Sequence, residues 1–598
     1  MTDGYRLDAA HRALLIDVAM GRARADLVLR HARLVNVLTC ELQLVDIVIA
    51  AGRIAAVTEC DAHSWDAVET RDLSGRFVSP GFMDPHVHIE GSLVTVTQFA
   101  RAVVPRGVTL VAQDPHEIGN VLGMAGIDMM REEAKSVPLR VLLRVPGRIP
   151  GYPQELETST GSVTLGQSLD LLDQPDAVCL AGDYNPQWIL RGDPDQLAKI
   201  GATVARGLTV SGQPAGIRGR PLSAFVAAGL EDSHVASSVD EIIENLRLGL
   251  RTTLVMRQGR RLGREHVREL AERISRDRID TRYIQLSTDE VYPHDLLRDG
   301  HMDNRVRMCI EEGIDPITAY QWATVNVAEG LRIDRDFGSI APGKAADLIV
   351  LDDLERVEIA ETLIGGRTWA RQGAYEGPQE AGRYDGTDVV EINMGRALEA
   401  ADFALRAEKQ DGVARVRAII TDTPKRQEDV DLPVRGGVVM PNETLSCLAM
   451  VACHGTPASI GLAFVGGIHL QRGAIASTVS HDAHNMLVVG ANHADMAFAA
   501  NRLAEMGGGY IAVAEGKVLT ELALPVAGLM SRERIDTVAA GLQAFEDTLC
   551  DVLGCPRASQ ILMRFNVLSM ANAAACGFSD KGLIDSASMR IISTVITN

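Results

Sequence analysis

Two histidines separated by one residue carry the sharpest chemical signal in the sequence. Residues 80–92 read PGFMDPHVHIEGS, with His86 and His88 at the end of an apolar run. Side chains at positions i and i+2 of a β-strand point to the same face. Two imidazoles on one face at a strand end can bind a divalent metal ion, and two ordinary exposed histidines are the alternative. The spacing therefore predicts metal ligands at His86 and His88.

The sequence around this motif alternates between strand and helix patterns. Short apolar runs end in polar residues, as in RGVTLVAQDP, LRVLLRVP, AVCLAGDY, GLTVSGQP and RYIQLSTD, with helical patterns between them. That alternation predicts a parallel sheet covered by helices, and hence an α/β fold. A length of about 250 residues suits a (β/α)8 barrel, whose catalytic groups lie at the carboxyl ends of the strands. We assign residues 81–334 to this barrel.

Strand-rich segments flank the predicted barrel on both sides. Residues 26–37 and 45–57 precede it, and residues 337–352 (FGSIAPGKAADLIVLD) follow it. We expect residues 1–80 and 335–388 to form one discontinuous β-sandwich domain into which the barrel is inserted. Residues 389–598 mix strand and helix patterns and predict a C-terminal α+β domain.

Composition and charge exclude several classes of partner. The 598 residues include 59 Lys and Arg against 79 Asp and Glu, a net charge of −20. Such a chain repels nucleic acids and anionic membranes unless it has a local basic patch, so we expect neither as a partner. Nine scattered cysteines without a CxxC pair, no secretory signal pattern and no run of ~18 apolar residues predict a cytoplasmic location without a membrane span.

Several long motifs carry a family resemblance. Residues 80–92 resemble the first barrel strand of the amidohydrolase superfamily. Within it, QDPHEIGNVLG (113–123), TDEVYPHDLLRDGHMD (288–303) and SHDAHNMLVVGANHADM (480–496) resemble the adenine deaminase family, and the likeness covers nearly the whole chain. The resemblance implies deamination of adenine, a small neutral purine, at a centre of one or two divalent ions, Mn or Fe with Zn as an alternative. It also implies a homo-oligomer.

The resemblance assigns roles to individual residues. Asp289, at the end of the last barrel strand, would ligate the metal and move a proton, although it could instead cap a helix. Glu117 would be a general acid toward the purine ring and His116 would orient it, and the alternative is a polar loop that caps a helix. Glu117 and Glu90 are the predicted substrate-binding residues. His234 in LEDSHVASS is a predicted metal ligand, with a loop histidine as the alternative.

Three places depart from the family pattern. Asp183 in LAGDYNP stands where the family has a glutamate that can bridge two metals; we assign it as a ligand, but its side chain is one methylene shorter. Gln213 in SGQPAG replaces a histidine, and an amide binds transition metals less well than an imidazole. Residues 144–153 differ from the family's serine-cysteine-valine-proline pattern. These departures leave open whether one or two ions bind and which substrate is used.

Two other functions fit the same motifs. The first is an amidohydrolase acting on another amino-heterocycle or a cyclic amide. Cyclic amidases of the superfamily commonly use a carbamylated lysine after the fourth strand, and no lysine lies in AVCLAGDYNPQW. The second is a relative that keeps the fold with altered or lost catalysis, which Gln213 and Asp183 would favour.

A second histidine motif lies near the carboxyl end of the chain. The segment SHDAHN contains His481, Asp482 and His484, a spacing that would suit a metal at a strand end. We interpret the segment instead as a support between domains and do not assign its residues as ligands.

Overall fold

The computed structural model describes residues 7–183, 186–256, 262–380, 392–421, 425–454, 459–557, 561–570 and 576–596. The first described elements are a helix and five strands: α1 (Ala9–Ala19), β1 (Ala25–Asn36), β2 (Glu41–Ala50), β3 (Arg53–Glu59), β4 (Ala67–Asp72) and β5 (Phe77–Pro80). Strand β1 pairs with β2 on one side, and on the other with β4 and then β5. A register shift between Leu29 and Ala32 separates its two halves, so β1 can join two partners on one edge.

Within the described residues, eight parallel strands then form the barrel sheet. They are β6 (Phe82–Val87), β7 (Val108–Gln113), β8 (Arg140–Val145), β9 (Ala177–Leu180), β10 (Thr209–Gly212), β11 (Asp232–Ser233), β12 (Arg251–Val255) and β13 (Ile284–Ser287). The circle closes where the His88 amide donates to the Asp289 carbonyl (2.8 Å) and the Asp289 amide donates to the His86 carbonyl (3.2 Å). Closure therefore occurs at the residues predicted to bind metal.

Helices lie between and after these strands and cover the barrel. They are α2 (Val96–Val103), α3 (His116–Leu122), α4 (Met124–Ala134), α5 (Leu165–Leu172), α6 (Gln187–Leu190), α7 (Pro194–Ala205), α8 (Gly219–Ala227), α9 (Val239–Arg247), α10 (Arg264–Asp277), α11 (Pro293–Asp299), α12 (Met302–Glu311), α13 (Pro316–Trp322) and α14 (Val325–Gly330). These helices cover the outer face of the sheet. The strand residues are therefore almost all buried, and most of them are apolar. The predicted barrel is confirmed.

After the barrel the chain returns to the first sheet. Four strands complete it: β14 (Leu348–Asp353), β15 (Glu358–Ile364), β16 (Arg367–Arg371) and β17 (Ala374–Tyr375). Strand β14 pairs antiparallel with β5, so the two separated segments share one nine-stranded sheet. The apolar cluster on this sheet contains residues of both segments: Leu29 and Ile47 come before the barrel, and Leu348 and Leu363 come after it. The two segments flanking the barrel therefore share one sheet, as a discontinuous domain requires, and the predicted domain limits stay a prediction.

The C-terminal part combines a second nine-stranded sheet with helices and a small third sheet. Its elements are β18 (Gly412–Ile420), β19 (Arg426–Arg435), β20 (Val438–Val439), β21 (Leu445–Val451), β22 (Ile460–Gly466), β23 (Ala474–Ser477), β24 (Met486–Gly490), α15 (His493–Glu505), β25 (Gly509–Ala514), β26 (Lys517–Ala523), α16 (Ile535–Asp551), α17 (Ile561–Asn566), β27 (Cys576–Ser579), β28 (Gly582–Asp585) and β29 (Arg590–Ile592). This mixture agrees with the predicted α+β character.

The C-terminal part packs directly on the barrel. One apolar cluster contains Phe99 of α2 together with Leu487 and Phe545 of the C-terminal elements. The Ser531 amide donates to the Leu93 carbonyl (2.8 Å), which joins the two backbones. No helix within the described ranges is both long enough and apolar enough to cross a membrane.

Candidate metal and catalytic site

The five predicted metal ligands lie at the carboxyl ends of barrel strands. His86 belongs to β6 and His88 follows it, while Asp183, His234 and Asp289 follow β9, β11 and β13. The three histidines are buried, and the side chains of Asp183 and Asp289 are only 9% and 18% exposed. The barrel thus brings together residues that are as much as 203 positions apart in sequence (289 − 86).

Short distances connect these five side chains into one cluster. His86 Nε2 lies 3.2 Å from Asp289 Oδ1 and 3.7 Å from Asp183 Oδ2. His88 Nε2 lies 3.5 Å from Asp289 Oδ1, and His234 Nε2 lies 3.1 Å from Asp183 Oδ1. Two possible ligand groups overlap here, one of His86, His234 and Asp289 and one of His86, His88 and Asp183. Within each group the ligand atoms lie within 4.8 Å of one another.

The chemistry of these residues fits a divalent metal ion. Among the residues that the structure describes, buried Nδ1 and Nε2 of His86 and Oδ2 of Asp183 have no hydrogen-bond partner. Buried polar atoms without partners are rare, and a cation between them would satisfy them. Burial, followed by the charge of His234, lowers the pKa of His86 to about 3, which keeps its imidazole in the neutral, metal-binding form. Mixed imidazole and carboxylate ligands suit Mn, Fe and Zn.

A backbone hydrogen bond orients His88. Its Nδ1 lies 3.0 Å from the carbonyl oxygen of Asp114, the residue that follows β7. When Nδ1–H donates to this carbonyl, the lone pair is on Nε2, the atom that faces Asp289. The second strand of the barrel therefore fixes the ring of a ligand that comes from the first.

Asp84 joins the first and last barrel strands beneath the ligands. Its Oδ1 accepts hydrogen bonds from the His86 amide (3.1 Å) and the Ser287 hydroxyl (2.9 Å). Its Oδ2 accepts from the Thr288 amide (3.1 Å) and the Thr288 hydroxyl (2.6 Å). Asp84 is fully buried, and burial raises its pKa to about 6 despite these four bonds. The carboxylate thus sets the relative position of His86 and Asp289.

His116 and Glu117 are the first two residues of helix α3, as the helix-cap alternative predicted. They also face the cluster of metal ligands. His116 Nδ1 lies 3.4 Å from Asp114 Oδ2. Burial opposes protonation of His116, but the charge and hydrogen bond of Asp114, together with the charges of Asp183 and Glu117, raise the pKa of His116 well above its usual range. Ligand atoms of His88, His116 and Glu117 lie within 4.8 Å of one another. Glu117 therefore borders the metal cluster.

Glu90, the second predicted substrate-binding residue, lies next to Glu117 and is 1% exposed. Its Oε1 accepts a hydrogen bond from the Ile118 amide in helix α3 (3.3 Å). Burial, followed by the charge of Glu117, raises the pKa of Glu90 to about 7. A carboxyl group that is partly protonated near neutral pH can both donate and accept hydrogen bonds.

The departures from the family pattern also lie at this site. Gln213 follows β10 and is buried, and its Oε1 has no hydrogen-bond partner among the described residues. Arg144 lies in β8 with 1% of its surface exposed, and its guanidinium donates to the Pro85 carbonyl (2.6 Å). Its charge is one of the factors that lower the pKa of His86. An amide and a guanidinium thus border the ligand cluster.

The C-terminal histidine motif, interpreted from the sequence as a support between domains, contacts the barrel at its predicted catalytic end. His481 Nδ1 lies 3.0 Å from Glu117 Oε1, and His481 Nε2 lies 3.2 Å from Glu290 Oε1. His484 Nε2 lies 3.5 Å from the other Glu117 oxygen. The segment between β23 and β24 therefore reaches into the barrel mouth and contacts a predicted catalytic residue.

Sequence reasoning missed four residues that contribute to the site. Asp84 precedes His86 by two positions, so strand alternation could have placed it on the same face. Asp114 lies two positions before His116, and Glu290 directly follows Asp289. His481 had no local signal that it would face the barrel, because its approach depends on the packing of the C-terminal part. The structure adds these four: Asp84, Asp114, Glu290 and His481.

Known proteins resemble this chain over nearly its whole length. The amidohydrolase family model matches residues 77–175 and 200–369, and the adenine deaminase C-terminal domain model matches residues 422–590. Adenine deaminase from Moorella thermoacetica is 37% identical, with 97% of each chain covered. Adenine deaminase 3 from Rhizobium meliloti is 38% identical, with 96% of each chain covered. A zinc-bound adenosine deaminase from Xanthomonas campestris has a TM-score of 0.44 at 15% identity, covering 59% of this chain and 94% of that one. At 37–38% identity over at least 96% of their length, the two curated relatives show that this chain belongs to the adenine deaminase family.

Proposed function

We propose that the chain hydrolyses adenine to hypoxanthine and ammonia. The observation that carries this proposal is the convergence of three histidines and two aspartates at the carboxyl end of the barrel, in a member of the adenine deaminase family. In the reaction, water adds at C6 of the purine and the 6-amino group leaves as ammonia. The substrate is a small neutral base, and a chain with a net charge of −20 needs no basic surface to attract it.

A divalent ion is proposed to be held by His86, His88, Asp183, His234 and Asp289. When bound, such an ion supplies hydroxide at neutral pH by lowering the pKa of water from 15.7 to roughly 7. We propose Mn or Fe, with Zn as the alternative, because all three accept imidazole and carboxylate ligands. The number of ions, one or two, depends on whether Gln213 can take the place of an imidazole.

The remaining proposed roles belong to residues around this cluster. Asp289 accepts the proton of the attacking water and passes it to the departing amino group. Glu117 protonates a ring nitrogen as C6 becomes tetrahedral, and His116 orients the Glu117 carboxyl group. Glu90 binds the purine edge beside Glu117. The distances of 3.2–3.5 Å from Asp289 to His86 and His88 support a carboxylate that acts at the cluster itself.

Metal analysis coupled to an adenine assay tests the proposal. The protein is loaded separately with Mn, Fe and Zn, and adenine loss, ammonia release and metal per chain are measured together. We expect turnover with at least one metal and the loss of both metal and turnover in His88→Ala. The matched control is His63→Ala, because His63 is an exposed histidine between β3 and β4. Full metal content in His88→Ala would contradict the ligand assignment.

Other properties belong to the same proposal. We propose the domain limits 1–80 with 335–388, 81–334 and 389–598, and a homo-oligomeric assembly that light scattering can measure. All nine cysteines are free thiols, which supports the proposed cytoplasmic location.

A further inference from the structure

The segment that carries His481 is held rigidly between β23 and β24. The His481 amide donates to the Asn566 carbonyl of α17 (3.3 Å), and the Ser569 hydroxyl donates to the His481 carbonyl. The Ser480 hydroxyl donates to the Asn485 carbonyl (2.5 Å), which closes the turn on itself. His481 is only 6% exposed. The ring of His481 is therefore presented to the barrel by a backbone that is fixed on both sides.

Both ring nitrogens of His481 face carboxylates of the barrel. Nδ1 lies 3.0 Å from Glu117 at the start of α3, and Nε2 lies 3.2 Å from Glu290 in the loop after β13. Glu117 and Glu290 are 2% and 7% exposed. Two buried carboxylates therefore flank one imidazole at ion-pair distance, one at each ring nitrogen.

This geometry argues against a second metal at the same place. The ligand atoms of Glu117, His481 and His484 do lie within 4.8 Å of one another. However, His86, His88 and His234 face carboxylates at Nε2, whereas His481 faces one at each of its two nitrogens. That arrangement favours a protonated ring over a metal ligand, which needs a free lone pair. A protonated imidazole satisfies both carboxylates, and removing it would leave buried negative charge without compensation.

We infer that the C-terminal part completes the catalytic centre by supplying His481 as a positioning residue, which bridges Glu117 and Glu290 and holds the Glu117 carboxyl group toward the substrate. The inference rests on the proposed function, in which Glu117 protonates the purine; the Glu117 carboxylate receives that proton from the His481 imidazolium, whose Nδ1 lies 3.0 Å away. It explains why a residue 364 positions after Glu117 (481 − 117) contacts it. It also assigns a role in the reaction to a part of the chain that lies outside the barrel.

The charges around His481 predict how the bridge responds to pH. Burial opposes protonation, but the charges of Glu117 and Glu290, with a contribution from Asp482, raise the pKa of His481 to about 9. His484 is the neighbouring titratable ring, and burial followed by the charge of His481 keeps its pKa well below the usual range. The bridge is therefore charged at neutral pH and is lost as pH rises through about 9.

Two substitutions of His481 in the full metal-loaded protein test the inference. His481→Leu removes both carboxylate contacts, and His481→Gln retains a donor for one carboxylate. We expect kcat to fall about 10- to 100-fold in His481→Leu and less in His481→Gln, with KM and metal content nearly unchanged. Wild-type kcat should decline above about pH 9, and both variants should lack that decline. The matched control is His493→Gln in the same C-terminal part, where His493 contacts Cys447 (3.5 Å).

The outcomes separate this inference from the proposed function. An active wild type with unchanged kcat and pH profile in His481→Leu would overturn the inference and leave the proposed function standing. A wild type that does not deaminate adenine with any of the three metals would overturn both. If His481→Leu does not fold, Glu290→Gln removes the negative charge from the other end of the bridge. A kcat reduced by about tenfold would then support the inference, and an unchanged kcat would overturn it.

Discussion

Replacing Asp84 with asparagine tests whether the ligands depend on the connection between the first and last strands. The substitution keeps the shape of the side chain and exchanges one carboxylate oxygen for an NH2 group. Each oxygen of Asp84 accepts two hydrogen bonds, from the His86 amide and the Ser287 hydroxyl at Oδ1 and from two Thr288 groups at Oδ2. Whichever oxygen is exchanged, an amide donor then faces a backbone N–H and a hydroxyl.

The expected magnitude follows from these four bonds. A hydrogen bond to a charged group contributes about 1.5–3 kcal/mol, so the loss of two would cost about 3–6 kcal/mol. The hydroxyl group can rotate and accept from the new amide, whereas the backbone N–H cannot. We therefore expect the free energy of unfolding to fall by about 3 kcal/mol. A shift of about 1 Å between His86 and Asp289 would lower kcat/KM by about 100-fold.

Asp347→Asn is the matched control for Asp84→Asn. Asp347 is also a buried aspartate, and it binds the Arg140 guanidinium at the amino end of β8, away from the ligands. Urea unfolding, metal titration and adenine turnover are measured for both variants. Both should lose stability, but only Asp84→Asn should also lose metal affinity and turnover. Normal metal affinity and kcat/KM in Asp84→Asn would refute the view that Asp84 sets the ligand geometry.

Three further predictions concern the metal, the proton transfer and the pH dependence of stability. Asp289→Asn should retain part of the metal and lower kcat by about 10²- to 10⁴-fold; turnover at the wild-type rate would contradict its proton-transfer role. Gln213→His should raise the metal content measured by elemental analysis from about one toward two ions per chain; an unchanged value would mean that other groups complete the site. Burial, followed by the charge of Arg305, lowers the pKa of His301 to about 3, so below pH 6.5 the unfolded chain binds a proton that the folded chain does not. His301 alone should lower the free energy of unfolding by up to about 1.4 kcal/mol per pH unit as pH falls below 6.5, and His301→Asn should reduce the difference between pH 7 and pH 5.5 in urea unfolding.

The barrel and its ligands were predictable because their signals are local. Each strand is a short apolar run that ends in a polar residue, and the carboxyl ends of barrel strands meet at one face. That rule is sufficient to bring His86, His88, His234 and Asp289 together. It extends to Asp183, although an aspartate there departs from the family pattern. The structure places all five within one cluster.

The contacts of the C-terminal histidines could not be predicted in the same way. His481 follows strand β23, which belongs to a sheet separate from the barrel. The sequence pattern of β23 shows which of its residues are buried, but it does not show which barrel residues lie next to His481. Its position depends on α16 packing against α2 and α11 of the barrel and on an apolar cluster that the two parts share. Such long-range packing leaves no spacing pattern in the sequence, so the sequence alone predicts only a support role for the segment of His481.

The types of ligand, their order along the chain and the barrel fold that brings them together can all be predicted from the sequence. These signals are local, because each one depends on residues that are close together in sequence. They are the strand and helix periodicity, the spacing of His86 and His88, and the family motifs. Two contacts are visible only in the folded structure: Asp84 joins β6 to β13, and His481 bridges Glu117 and Glu290. These contacts join residues 191 or more positions apart in sequence (481 − 290), and they form only when distant parts of the chain pack together.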